Sequence, residues 1–164
     1  MSSNDEIIKT ENLTKVFGSG KKAIKAVDDV SISIKKKEVI SLVGQSGSGK
    51  TTLARMLLRL LKPTAGKIIF EGQDVTNIEG KEKKAYWRKV QAIFQDPYAS
   101  FNIFSPVKKV LLDAFKLFDN KFTKEEKWRM VCESLEAVNF RPDEVADKFP
   151  FELSGGQRQR VMIA

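Results

Sequence analysis

Histidine is absent from the 164-residue sequence, and cysteine occurs only once, as Cys132. Without histidine, the chain cannot perform acid–base catalysis through an imidazole group. A single cysteine cannot form an internal disulfide bond, which fits a reducing compartment. No uncharged apolar run approaches the roughly 20 residues that a membrane-spanning helix needs. These absences leave a globular chain whose chemistry depends on other groups.

Basic residues exceed acidic ones, with 29 Lys and Arg against 21 Asp and Glu and a net charge of +8. Such an excess can attract nucleic acid, anionic lipid or nucleotide phosphates. The basic residues are spread along the chain, with small clusters at residues 35–37 and 81–84. Neither an aromatic RNA-binding motif nor a zinc-ligand spacing accompanies them, so a solvated basic face is the simpler interpretation.

Apolar patterns predict five strands. Alternation indicates strands at residues 7–16 and 27–34, with a loop at 18–20 between them. The runs at residues 39–43 (VISLV) and 90–94 (VQAIF) are short and apolar, which is typical of strands buried on both faces. A further strand is predicted at residues 67–70, before Gly72.

Helical spacing predicts four helices, at residues 50–61, 79–89, 107–118 and 124–138. In the first of these, one face carries Leu53, Met56, Leu57, Leu60 and Leu61. The last begins with Thr123-x-x-Glu126, a capping box. Its apolar face carries Trp128, Val131, Leu135 and Val138, with Cys132 beside them, so this cysteine is interpreted as a core residue.

The segment Gly44-Gln-Ser-Gly-Ser-Gly-Lys-Thr51 satisfies the phosphate-loop pattern G-x-x-x-x-G-K-[ST]. Glycines let the backbone N–H groups of residues 47–51 turn toward an anion, and the following helix adds its positive end. Lys50 can reach the β- and γ-phosphates of ATP, and the Thr51 hydroxyl can ligate Mg²⁺. The predicted ATP-binding residues are Gly44, Ser46, Gly47, Ser48, Gly49, Lys50, Thr51 and Thr52.

A second helix start is predicted near the other end of the sequence. Ser154-x-x-Gln157 is a capping box in which glycines occupy the first two helical positions. Because two adjacent glycines are poor helix formers, a plain cap does not explain them, whereas an anion approaching open N–H groups does. The segment Leu153-Ser-Gly-Gly-Gln157 resembles, letter for letter, the LSGGQ signature of ATP-binding-cassette (ABC) proteins.

The resemblance extends over nearly the whole chain. Phe17 is similar to the aromatic residue that stacks on adenine in this family. Gln95, in IFQDP, matches the glutamine that contacts Mg²⁺ or the attacking water. The resemblance therefore implies catalytic roles for Lys50 and Gln95 and Mg²⁺ contacts for Thr51 and Gln95. The stretch IFQDPYASFN most resembles the ATP-binding subunits of oligopeptide and dipeptide importers.

The family's fold implies an α/β, RecA-like P-loop NTPase core with an N-terminal antiparallel β subdomain and an α-helical insert. The expected domains are residues 1–95 for the core and β subdomain, 96–152 for the helical subdomain, and 153–164 for the signature motif and the start of its helix. In the family, an Asp-Glu strand and a histidine follow the signature motif. The core is therefore expected to be incomplete at the C-terminus, in a fragment that hydrolyses ATP little or not at all by itself.

The resemblance also implies partners. ATP held by one cassette would be covered by Ser154, Gly155, Gly156 and Gln157 of a second, identical or different, cassette arranged head to tail. The pair would power import of peptides or a related small solute at the cytoplasmic face of the cell membrane. Permease subunits would bind directly and a solute-binding protein indirectly. Candidates for the permease contact are Tyr98, Phe101 and Phe104, which alternatively pack inside the insert.

Two other interpretations remain open from the sequence. One is a soluble cassette ATPase that acts on nucleic acid, although the coiled coil or zinc cysteines usual in such proteins are absent, and no nucleic acid partner is predicted. The other is a non-hydrolysing fragment in which nucleotide is a structural ligand.

Overall fold

The computed structural model describes residues 5–94, 102, 104–118 and 121–164. The chain divides into two compact units, Met1–Tyr86 and Trp87–Ala164. All strands of the described residues belong to the first unit, and the second unit is helical.

The first unit contains an antiparallel sheet of five strands within the described residues. The central strand β1 (Glu6–Phe17) pairs with β2 (Ile24–Val30), β3 (Ser33–Lys35) and β4 (Ala65–Phe70). A 3₁₀ turn, Gly20–Lys22, connects β1 to β2, and the short strand β5 (Gln73–Asp74) pairs with β4. The strands predicted at residues 7–16 and 67–70 are confirmed.

The prediction of a single strand at residues 27–34 is wrong, because this segment forms the separate strands β2 and β3. The buried side chain of Thr10 lies at the break. Its hydroxyl donates to the carbonyl of Val30 (2.9 Å) and accepts from the backbone N–H of Ile32 (3.0 Å). A side chain of β1 thus replaces backbone partners at this point and interrupts the strand.

Two helices accompany the sheet: α1 (Lys50–Leu57) and α2 (Gly80–Lys89). The most deeply buried apolar side chains of this unit come from β1, α1 and β4, namely Leu13, Met56 and Ile68. The Tyr86 ring of α2 makes an edge contact with Phe70 of β4 at 5.1 Å between centroids, and its hydroxyl donates to the carbonyl of Leu57. The C-terminal end of α1 is thereby fixed to α2.

Helix α1 is shorter than the predicted helix at residues 50–61. Its C-cap is Leu58, and Arg59 then takes a left-handed conformation with a φ of +57°. A left-handed residue ends the helical path, so Leu60 no longer shares the buried face and is 50% exposed.

The predicted strands at residues 39–43 and 90–94 are also wrong: neither segment is a strand, and neither pairs with another strand among the described residues. Val39 is 94% exposed and Val43 is 90% exposed. An apolar run forms a strand only when a neighbouring strand supplies hydrogen bonds, and the described part of the chain supplies none here.

The second unit is helical. It contains α3 (Val107–Asp113), which continues as a 3₁₀ helix at Ala114–Phe118, then α4 (Lys124–Ala137), α5 (Pro142–Val145), a 3₁₀ turn at Pro150–Glu152 and α6 (Gly155–Ile163). Its core consists of Val107, Phe115, Val131, Leu135, Phe140, Val145, Leu153 and Val161.

The capping box predicted for α4 is present. The backbone N–H of Glu126 donates to the Thr123 hydroxyl at 3.1 Å, and that of Thr123 donates to the Glu126 carboxylate at 2.7 Å. Cys132 is half-buried beside the core, and burial raises the pKa of its thiol, which fits the predicted core role better than a reactive one. In the described ranges, every helix is too short or too polar to cross a bilayer.

Candidate nucleotide-binding site

Two glycines give the phosphate loop its path into α1. Gly47 and Gly49 have φ values of +82° and +89°, and Gly49 is the N-cap of the helix. A Cβ atom on Gly49 would lie 2.1 Å from the backbone oxygen of Ala26 in β2. Only glycine combines this left-handed conformation with so close an approach to the neighbouring strand.

The loop leaves a group of backbone N–H donors open. Ser48 closes a turn by donating to the carbonyl of Gln45 at 3.2 Å. In the described part of the chain, the amides of Gly47, Gly49, Lys50 and Thr51 have no protein acceptor. Open N–H groups at the positive end of a helix are the feature that binds phosphate. The loop therefore fits the phosphate groups of a nucleotide.

Lys50 lies across this loop. Its Nζ donates to the carbonyls of Gly44 (2.7 Å) and Gln45 (2.6 Å) and to the Ser48 hydroxyl (3.2 Å). A Cβ atom on Gly44 would lie 2.7 Å from that same hydroxyl oxygen, so glycine leaves the space that this arrangement uses. Sequence reasoning placed Lys50 at the phosphates but missed these bonds, which an incoming phosphate must replace.

The remaining loop side chains are accessible. Ser46 and Thr51 are exposed, and Thr52 is half-buried. The Thr51 hydroxyl has no hydrogen-bond partner among the described residues, so it is available as a metal ligand. The described ranges contain no cluster of three or more Asp, Glu, Cys or His residues suited to a metal. A single hydroxyl still fits Mg²⁺, which keeps several waters and uses substrate phosphates as ligands.

Phe17 lies at the end of β1, within the same unit as the loop. It pairs with Ile24 of β2 and is 43% exposed. Two residues farther along β2, the Ala26 carbonyl meets Gly49. One short strand thus contacts both the aromatic residue and the loop.

The second helix start is present in the helical unit as predicted. The backbone N–H of Gln157 donates to the Ser154 hydroxyl (3.3 Å), and that of Ser154 donates to the Gln157 side chain (2.8 Å). Ser154, Gly155 and Gly156 are exposed. Sequence reasoning missed Arg158, whose buried guanidinium donates to the carbonyls of Pro150, at 2.9 Å, and Leu153. No residue pattern signals this contact, because it depends on the turn before α6.

Several predicted residues lie outside the described ones: Gln95, Tyr98 and Phe101. Phe104 is described and is 82% exposed, so it does not pack inside the helical unit. The proposed roles of Gln95 in catalysis and metal binding, and of the aromatic residues in permease contact, stay predictions.

The glycine-rich loop and the helix that follows it define a protein of the P-loop nucleotide-binding class. The sequence matches the family described as ABC transporter over residues 27–164. The chain therefore belongs to the ABC transporter family.

The chain is similar to curated ATP-binding proteins of peptide transport. It is 42% identical over 159 residues to the putative oligopeptide transport ATP-binding protein YkfD of Bacillus subtilis, covering 96% of this chain and 48% of that protein. It is 44% identical over 142 residues to the oligopeptide transport ATP-binding protein AppF of the same organism, covering 86% and 43%. The chain spans about half the length of these relatives.

Solved structures confirm the fold class. The dimeric, post-hydrolysis structure of the ATP-binding cassette MJ0796 bound to ADP and Pi matches with a TM-score of 0.79 and 27% identity, covering 96% of this chain and 67% of that one. A nucleotide-free ATP-binding cassette matches with a TM-score of 0.71 and 30% identity, covering 96% and 65%. The chain thus has the P-loop NTPase fold of these cassettes, and nucleotide binding is the property that its family implies.

Proposed function

We propose that this chain is the ATP-binding part of a subunit that powers the import of peptides or a related small solute. The observation that carries the proposal is the set of open amides of Gly47, Gly49, Lys50 and Thr51, placed at a helix start with the Lys50 side chain beside them. The relatives named as oligopeptide transport proteins support the choice of solute.

The proposed ligand is ATP with Mg²⁺. The loop amides and Lys50 bind the phosphates, Thr51 contributes its hydroxyl to Mg²⁺, and Phe17 offers its exposed ring to adenine. The other proposed phosphate contacts are Gly44, Ser46, Gly47, Ser48, Gly49 and Thr52, with Gln95 as a further catalytic and metal contact. We expect Lys50 to exchange its bonds to the loop carbonyls for bonds to phosphate oxygens when the ligand binds.

A second cassette completes the proposed site. Ser154, Gly155 and Gly156 are exposed at the beginning of α6, and Gln157 fixes that beginning through the capping box. Amides at an exposed helix start can contact a triphosphate held by another copy, identical or related. The dimer bound to ADP and Pi among the similar structures supports this arrangement. Closure of the pair around ATP would move permease subunits at the cytoplasmic face of the membrane.

Binding of ATP tests the central claim. We expect Lys50→Ala to weaken ATP binding by about 10- to 100-fold, because hydrogen bonds to charged groups contribute roughly 1.5–3 kcal/mol. Isothermal titration of the full chain with ATP and Mg²⁺ gives the affinity. Lys21→Ala is the matched control, because Lys21 lies in the exposed 3₁₀ turn of the same unit. This substitution removes the same charge as Lys50→Ala. Equal affinity in both variants contradicts the proposal.

Transport is tested with the complete protein. Uptake of a labelled peptide by vesicles that contain the assembled transporter should require ATP and should be lost with Lys50→Ala but kept with Lys21→Ala. Uptake that continues with Lys50→Ala would show that another subunit powers it.

A further inference from the structure

Lys15 connects the end of β1 to the segment that follows α1. Its Nζ donates to the backbone carbonyl of Lys62 at 2.8 Å and lies 5.3 Å from the centroid of the Phe17 ring. The pairing of β1 with β2 is irregular between Lys15 and Val16, and the contact itself shows that the two side chains lie on the same side of the strand. The ammonium group is therefore held by the carbonyl while it covers part of one ring face.

Thr64 holds the same part of β1 from the backbone side. Its N–H donates to the carbonyl of Thr14 at 2.8 Å, and its hydroxyl accepts from the N–H of Val16 at 3.0 Å. Residues 62–64 thus contact the strand on either side of Lys15. Because these residues follow α1 closely, the end of β1 is attached to the helix that leaves the phosphate loop.

The exposed ring needs such a support. Phe17 is 43% exposed, so packing restricts its ring less than that of a buried side chain. A cation over a ring face contributes an attraction and restricts the ring at the same time. A ring that is already ordered loses less entropy when a ligand stacks on it.

We propose that Lys15 is a positioning residue for Phe17: it holds one face of the ring so that the other face receives the base of a nucleotide. The proposal rests on the proposed function, because it requires nucleotide at the phosphate loop. Under this proposal, ATP affinity has two contributions. Contacts to the phosphates depend on Lys50, and contacts to the base depend on Phe17 and Lys15.

The test compares ATP with inorganic tripolyphosphate, which has the phosphates but no base. We expect Lys15→Met to weaken ATP binding about two- to tenfold and to leave tripolyphosphate binding unchanged. Phe17→Ala should have the same selectivity with a loss of about tenfold. Lys15→Arg should restore ATP affinity, since a guanidinium can both donate to the Lys62 carbonyl and cover the ring.

Lys25→Met is the matched control. Lys25 lies on β2 in the same hairpin, and its Nζ pairs with Asp28 at 3.0 Å. The variant loses the same charge without touching the ring, so ATP affinity should stay at the unsubstituted value. Thermal unfolding of each variant shows whether the hairpin remains folded.

Several results would overturn the proposal. Equal loss of ATP and tripolyphosphate in Lys15→Met would mean that Lys15 acts on the phosphates or on the fold. Independent, additive effects of Lys15→Met and Phe17→Ala in the double variant would mean that the two side chains do not act together. Unchanged ATP affinity in Lys15→Met would refute this inference alone, whereas no ATP binding by the unsubstituted chain would refute the proposed function as well.

Discussion

Two helix beginnings, one in each unit, are built in opposite ways. Helix α1 begins after Gly49, a left-handed residue whose N-cap position has no side-chain hydrogen bond. Helix α6 begins after Ser154, whose hydroxyl and backbone N–H both take part in a complete capping box with Gln157. The backbone N–H donors at the start of α1 are open to a ligand. At the start of α6, the Ser154 hydroxyl already accepts from one of these N–H groups.

This difference separates two requirements. At α1 the backbone shape itself needs glycine, because residue 49 has a positive φ and its Cα faces the Ala26 carbonyl. At α6 a Cβ atom on Gly156 would meet nothing within 4 Å, and its φ is not positive. The fold does not require glycine at position 156, which is compatible with the proposal that a second cassette approaches the helix there.

Alanine substitutions give the largest expected contrast. We expect Gly49→Ala to lower the free energy of unfolding by about 2–4 kcal/mol, through the left-handed conformation and the contact with β2. Gly156→Ala should keep or raise the stability by up to about 1 kcal/mol, since alanine is the better helix former. Urea unfolding of both variants measures the difference.

Gly156→Ala is expected to affect function even though its effect on stability is small. Gly156→Ala should leave ATP affinity of a single chain unchanged and reduce nucleotide-dependent pairing of the complete protein. A large stability loss in Gly156→Ala, or none in Gly49→Ala, would mean that the two beginnings do not differ as described.

The sequence predicted those elements whose signals are local. Strand β1, helix α2 and both capping boxes follow from alternation, helical spacing and cap residues within a few positions. The loop at residues 44–51 followed from its glycines and Lys50. Each of these depends on side chains that act on their own segment.

The errors arose where distant residues decide. The break between β2 and β3 comes from Thr10, about twenty residues earlier in the chain. The apolar runs at residues 39–43 and 90–94 signalled burial, but a strand also needs a partner, and a partner is not encoded in the run itself. The bonds of Lys50 to the loop carbonyls depend on the folded loop and had no signal in the pattern.

A smaller effect is expected from removing a cap. Ser154→Ala should lower the stability of the helical unit by about 1 kcal/mol, because Gln157 loses its acceptor. Thr123→Ala is a matched control, since Thr123 and Glu126 form the same capping box at the start of α4. Chemical unfolding should show similar losses for both variants, and only Ser154→Ala should impair nucleotide-dependent pairing. Equal impairment in both would assign the effect to stability alone.

The comparison can be sharpened at the far end of α1, where the Tyr86 hydroxyl donates to the Leu57 carbonyl. Burial raises the pKa of Tyr86 to about 12, with a smaller opposing effect from Arg59. The neutral hydroxyl is therefore favoured in the folded state, and its contribution to stability is complete below pH 10 and is lost as the pH rises from about 10 to 12.

Tyr86→Phe should cost roughly 0.5–1 kcal/mol at pH 8 through the lost hydrogen bond. The difference in stability between the two proteins, measured by urea unfolding from pH 8 to 12, should shrink across this window and then change sign, because only the unsubstituted chain has this ionisation and its cost near pH 12 exceeds the value of one hydrogen bond. A constant difference would mean that the hydroxyl ionises alike in the folded and unfolded chains, and that it does not hold the end of the helix that begins at Lys50.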